Sequence, residues 1–192
     1  MSTLAGPVPA VPALPSPQAL VDGQRAWGRN AVVYLVLTVA FLVLAGLDDR
    51  LFQDVSLWKK PAKFALSIGV YFATLAWCAA LLPAAFWQTT RGRLMSRIAV
   101  LTAAFEMAYI ALMAGLEEAS HFNVATPLTS VMYALMGLGA MTLTAISPWL
   151  AVEIARVREG WRRDPVLLAV VVGLVLTFVL GAGAGGDLGA QK

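Results

Sequence analysis

The chain contains one cysteine, Cys78, and one histidine, His121, in 192 residues. A lone cysteine excludes an intrachain disulfide framework and a cysteine-based zinc cage. A lone histidine excludes multi-histidine metal centres and bis-histidine haem ligation. Charge is scarce as well. Only 13% of residues are Asp, Glu, Lys or Arg, about half the share of a soluble domain. The formal net charge is +3, with no basic patch interleaved with aromatics. That composition argues against a nucleic-acid partner. The sequence names no cofactor and no metal.

Apolar sequence is what the chain has in abundance, at 59% of residues. It falls into uninterrupted runs of about 20 residues, the length that crosses a bilayer as a helix. These runs predict an all-α integral membrane bundle with spans at 27–47, 64–82, 98–116, 127–147 and 165–182. They occupy a membrane-embedded domain over 23–182. The bilayer is therefore the first expected partner. Residues 1–22 hold Pro7, Pro9, Pro12, Pro15 and Pro17, which favour an extended, disordered tail. They lack the basic start and unbroken apolar core of a signal peptide. Residues 183–192 read as a flexible end.

The connections carry the local signals. Within 48–60, the stripe Leu51, Phe52, Val55 and Trp58 has helical spacing, so a short interfacial helix is expected there. Pro61 then suits the first turn of the next helix. Thr126 and Pro127 read as an N-cap and a first helical residue. Pro148 is expected to end or kink the fourth span. Gly137, Gly139 and Ala140 give that span a small-residue face on which another helix, from this chain or a partner in an oligomer, can pack. Arg and Lys counts over the loops place the N-terminus on the cytoplasmic side. The loops 48–63 and 117–126 then share the opposite face.

Glu106 falls near the middle of the third span, about 15 Å deep. An ionised carboxylate at that depth costs several kcal/mol unless paired or hydrated, so it is expected to face the bundle interior. Helical spacing puts Glu106, Tyr109, Ile110, Met113 and Glu117 on one face. This suggests a polar stripe that ends at Ser120, His121 and Asn123, with Lys60 and Lys63 entering from the same side. The candidate ligand-binding residues are thus Glu106, His121, Asn123, Lys60, Lys63 and Glu117. Several of them have plainer roles available. Lys63 can snorkel to headgroups, Glu106 can hydrogen-bond across helices, and Tyr109 and Met113 can simply pack. A Ser120–His121–Glu117 triad lacks a nucleophile elbow, and adjacent Ser and His side chains usually diverge. A metal site from His121, Glu117 and Glu118 with Asp48 or Asp49 would have only one imidazole.

Two stretches carry a resemblance. Trp58-Lys59-Lys60-Pro61-Ala62-Lys63-Phe64 fits a W-x-K-P-x-K-F pattern. Ser120-His121-Phe122-Asn123 with Thr126-Pro127, followed by Met132-Tyr133 and Met136-Gly137, fits a second. Together they resemble a family of uncharacterised bacterial multi-pass membrane proteins over about residues 58–140. The resemblance implies a bacterial cytoplasmic membrane and supplies no activity. Such proteins often carry basic residues before S-H-F-N, whereas Leu116-Glu117-Glu118 stand here, which weakens an anion site. Longer members continue with more membrane segments, so the chain reads as a short member or part of a longer one. The leading expectation is a protein that binds or senses a small polar ligand, lipid headgroup or proton near the non-cytoplasmic face. The other two expectations are a membrane-embedded enzyme acting on a lipid or isoprenoid and a structural subunit of a membrane complex.

Overall fold

The computed structural model describes residues 25–121 and 124–190, with side chains described through residue 183. The 1–22 tail and Asn123 lie outside the described residues. The helices are α1 (Arg25–Leu47), α2 (Lys59–Ala79), α3 (Thr90–Gly115), α4 (Pro127–Val157) and α5 (Pro165–Ala190). All five are long and apolar enough to span a membrane. The chain is a multi-pass, all-α membrane protein.

Local chemistry sets the helix ends. The Thr89 hydroxyl accepts the Gly92 N–H at 3.2 Å and starts α3. Thr126 and Thr129 form a reciprocal capping box at α4, with Pro127 in its first turn. The Asp164 carboxylate accepts the N–H groups of Val166 and Leu167 at the start of α5. At the end of α3 the Glu117 N–H returns to the Ala114 carbonyl and the Glu118 N–H to the Met113 carbonyl. That pair of bonds closes a helix with a left-handed residue, normally glycine. Here Glu117 takes the position, at φ 61°.

Two local expectations change, and the one at Pro148 is narrowed. The 48–60 connection is a β-hairpin, not an interfacial helix. Leu51–Phe52 (β1) pairs antiparallel with Val55–Ser56 (β2), with Leu51 opposite Ser56 and Phe52 opposite Val55. Gln53 and Asp54 both have positive φ, the backbone of a two-residue turn that matches strand twist. So short a stripe fits both periodicities and does not choose between helix and strand. Pro148 lies inside α4 and does not end it; membrane helices accommodate proline when neighbours re-satisfy the freed backbone. The helices also outrun their apolar cores. Arg91, Arg93 and Arg97 belong to α3, Glu153 and Arg156 belong to α4, and α5 runs to Ala190, into the 183–192 end expected to be flexible.

α1 lies along α2, with Tyr34 stacked on Phe72 at 5.8 Å between centroids and Leu35 against Gly69. α3 packs on α4, and α5 packs chiefly on α4. Tyr71 of α2 donates to the Leu143 carbonyl of α4 at 2.8 Å and lies 2.9 Å from the Ser147 hydroxyl. The core runs through Phe72, Leu75, Met95, Ile110, Met136, Ile146 and Leu150. α1 and α5 expose Val32, Val36, Val39, Val179 and Leu180, the surface that lipid would cover. Trp27 packs edge-on to Trp87, and Arg158 donates to the Leu81 carbonyl. These contacts gather 25–29, 81–87 and 158 at one end. The hairpin and residues 115–121 meet at the other.

Candidate functional site

At the hairpin end, residues 52–60 and 110–121 enclose a cavity of about 390 Å³. Its polar wall is Gln53, Ser56, Lys60, Glu118, Ser120 and His121; Phe52, Leu57, Ile110 and Ala114 are among its apolar residues. The Ser120 hydroxyl is buried and lies 3.1 Å from His121 Nδ1. The two adjacent side chains therefore converge, contrary to expectation, because the irregular backbone after α3 frees them from helical divergence. Phe64 of α2 packs its ring on His121 at 5.4 Å. Burial, and secondarily the positive charge of Lys60, pushes the imidazole down to about 4. His121 is thus neutral at neutral pH. The Ser56 Oγ is buried with no hydrogen-bond partner among the described residues.

A polar clasp holds the hairpin over this cavity. Arg50 pairs with Asp48 at 2.8 Å and with Glu117 at 3.1 Å, and also donates to the Gly115 carbonyl. Trp58 Nε1 donates to Asp48 at 2.8 Å while its ring stacks on Phe41. The Arg50 link offsets the left-handed backbone that Glu117 adopts without glycine's freedom. The hydrogen bonds from Arg50 and then Trp58 hold the Asp48 carboxyl well below the usual carboxylate range. A depressed folded-state value contributes stability above the ordinary Asp range and loses it as pH falls through the depressed value. A nitroxide at Asp54 is therefore expected to gain mobility on acidification well below pH 4. In Asp48→Asn it should be mobile at neutral pH already. Equal mobility in both proteins at neutral pH would remove the clasp.

Glu106 occupies a different place. It is buried on the inner face of α3, at 5% exposure, with Tyr109, Ile110 and Met113 buried along the same face. It lies about 14 Å along the helix from Gly115. Its Oε1 has no hydrogen-bond partner among the described residues. A Cβ at Gly139 of α4 would sit 2.8 Å from that oxygen. Tyr34 of α1 is within electrostatic reach. Glu106 is not among the residues lining the hairpin-end cavity, although Ile110, one turn further along α3, is. Gly139→Ala is expected to lower the thermal midpoint moderately, because the carboxyl must swing aside within a packed seam. Gly137→Ala, which meets nothing within 4 Å, should be neutral or mildly stabilising. Equal midpoints for the two variants would mean the seam is looser than its geometry.

The expected polar stripe therefore divides. Lys60 and His121 meet at the cavity. Lys63 is exposed on α2 and does not line it, and Glu117 lies past the end of α3, tied to Arg50. The small-residue face also divides, with Gly139 turned inward to Glu106 and Gly137 and Ala140 exposed. Among the described residues no three His, Cys, Asp or Glu side chains are placed to hold a metal ion.

No protein-family model, curated protein or solved structure matches this chain.

Three features escaped the sequence reading. Ser56 lines the cavity although it did not stand out, because the hairpin that brings it there has no strong signal, and Glu118, weighed in the sequence only as a metal ligand, lines it too. Glu153 is buried at 4% exposure near the far end of α4, with Arg156 at 3.1 Å and Arg91 at 3.8 Å. The Glu153/Arg156 spacing of three on one helix was the available hint. A second, more apolar cavity of about 520 Å³ includes Tyr71, Thr74, Ser147, Leu174 and Thr177 and sits among α2, α4 and α5.

Proposed function

We propose that this is a binding or sensing protein of a bacterial cytoplasmic membrane, taking a small polar ligand or lipid headgroup in the cavity beneath the hairpin. One observation carries the reading. The W-x-K-P-x-K-F stretch and the start of the S-H-F-N stretch, far apart in sequence, supply Lys60, Ser120 and His121 to one cavity, and Phe64 packs on that histidine. Their meeting also supports the proposed kinship with the bacterial family bearing both patterns. A cavity of about 390 Å³ lies within the range of small-molecule sites. Its wall mixes a few polar groups with apolar ones, as such sites do.

The hairpin end faces away from the cytoplasm in this proposal. Arg25, Arg29, Arg91, Arg93, Arg97, Arg156, Arg158, Arg162 and Arg163 belong to the opposite side and outnumber Arg50, Lys59, Lys60, Lys63 and Lys192, and an excess of positive residues marks the cytoplasmic side. The nitroxide at Asp54 checks this too, since ascorbate added outside intact cells should reduce it.

Native mass spectrometry of the full chain tests the binding role. A co-purified adduct of headgroup size is expected on the wild-type protein and is expected to be depleted in Lys60→Gln and Ser120→Ala. An adduct retained in full by both variants, or none on the wild type, would end the reading. An acid–base enzyme gains less support. Such chemistry needs titratable groups within reach of a common cavity, and Glu106 and His121 do not line the same one.

A further inference from the structure

The cavity under the hairpin carries charge of both signs. Lys60 reaches it from the first turn of α2, and Glu118 from the segment after α3. His121 adds no second cation, because burial and Lys60 keep its ring neutral above about pH 4. The remaining polar wall includes two hydroxyls, Ser56 and Ser120. The Ser56 Oγ is a buried polar atom with no partner among the described residues, and such an atom is costly unless something fills its hydrogen bond.

Charge selects among ligand classes. A purely anionic ligand would meet Glu118, and a purely cationic one would meet Lys60. A molecule with both signs is attracted to both walls. The unpartnered Ser56 hydroxyl adds a donor to the same cavity as Lys60, while Ser120 is engaged with His121, which suits an anionic group with several acceptor oxygens, as phosphate has. The apolar residues Leu57, Ile110 and Ala114 suit a short carbon linker or the start of a lipid's glycerol.

We infer that this cavity binds an amine–phosphate zwitterion, with the phosphate on Lys60 and Ser56 and the ammonium on Glu118. The chemistry is shared by a phosphatidylethanolamine headgroup and by free phosphoethanolamine. The inference rests on the proposed binding role and narrows it to one class.

The test uses the full chain in nanodiscs containing phosphatidylethanolamine and phosphatidylglycerol in equal amounts, with bound lipid counted by native mass spectrometry. Wild-type protein is expected to retain phosphatidylethanolamine over phosphatidylglycerol by about tenfold, the size of one charge-assisted hydrogen bond. Glu118→Gln should bring that ratio close to one. Glu118→Asp should keep part of it, which separates a charge effect from misfolding. Lys60→Gln should reduce both lipids. Free phosphoethanolamine added to detergent-solubilised protein distinguishes the sources. Competition at millimolar concentration indicates the soluble zwitterion, and displacement by the lipid alone indicates the headgroup.

Preference for phosphatidylglycerol, still lost in Lys60→Gln, would overturn the zwitterion and leave the binding role standing. An unchanged lipid ratio in Glu118→Gln would overturn it equally. Absence of any adduct sensitive to Lys60→Gln would end both.

Discussion

Gly92→Ala is expected to destabilise the protein more than any other single methyl addition among its described glycines. A Cβ at Gly92 would overlap the Phe86 carbonyl oxygen and lie 2.9 Å from the Trp87 Cα. These are backbone atoms of the turn at Ala84–Gln88, which folds over the first turn of α3. The Phe86 carbonyl is already engaged by the Thr89 N–H and hydroxyl. Phe86 and Trp87 pack edge to face, and Trp87 meets Trp27 of α1. No side-chain rotation relieves the contact, so the turn itself has to move. Overpacking of this kind costs about 1–3 kcal/mol or more, well above the roughly 1 kcal/mol that alanine returns in helix propensity. Thermal unfolding of the detergent-solubilised chain, compared with Gly137→Ala, measures it. A midpoint for Gly92→Ala at or above that of Gly137→Ala would show that the turn is not seated on α3.

Stranding Glu153 should have a comparable effect. Its side chain is 5% exposed, while those of Arg91 and Arg156 are 65% and 57% exposed. Trp149 Nε1 reaches the same Oε1 at 3.4 Å. The two arginines are therefore cheap to remove for their own sake, and the acid is not. The double variant Arg91→Ala/Arg156→Ala leaves a buried acid without its cations. Both arginines are more than half exposed and screened by solvent, so the loss is expected to stay below the about 3–5 kcal/mol of a fully buried pair. Adding Glu153→Gln to the double variant should recover much of that loss, because the neutral amide no longer needs a counter-charge. Recovery identifies an uncompensated charge as the cause. A double variant as stable as wild type would mean that water, not arginine, solvates Glu153.

The Gly92 clash is local, made with Phe86 and Trp87 just before α3, whereas Glu153 joins a partner on its own helix to Arg91 of α3 and the hairpin-end cavity joins segments far apart in sequence. Glu106, whose Oε1 has no hydrogen-bond partner among the described residues, differs, since its burial was legible from one helix. An acid in the middle of an apolar run has to face inward, whatever else the bundle does. Even so, its immediate neighbour was not legible. Gly139 belonged to an apparent face with Gly137 and Ala140, yet only Gly139 meets the carboxyl. The rotation of α4 against α3 makes that choice, and periodicity within α4 does not contain it.

Hydrophobic run length determined the five crossings and their order, because an apolar helix of that length has no stable alternative to lipid or a large core. Local capping residues determined where α3, α4 and α5 start, because Thr89, Thr126 and Asp164 act on their own nearest amides. The hairpin at 51–56 was decided by tertiary structure, since its few apolar residues fit helix and strand alike and its clasp comes from Glu117 and Trp58. The cavity was decided the same way: Lys60, Glu118 and His121 become neighbours only when α2 and the end of α3 close around them.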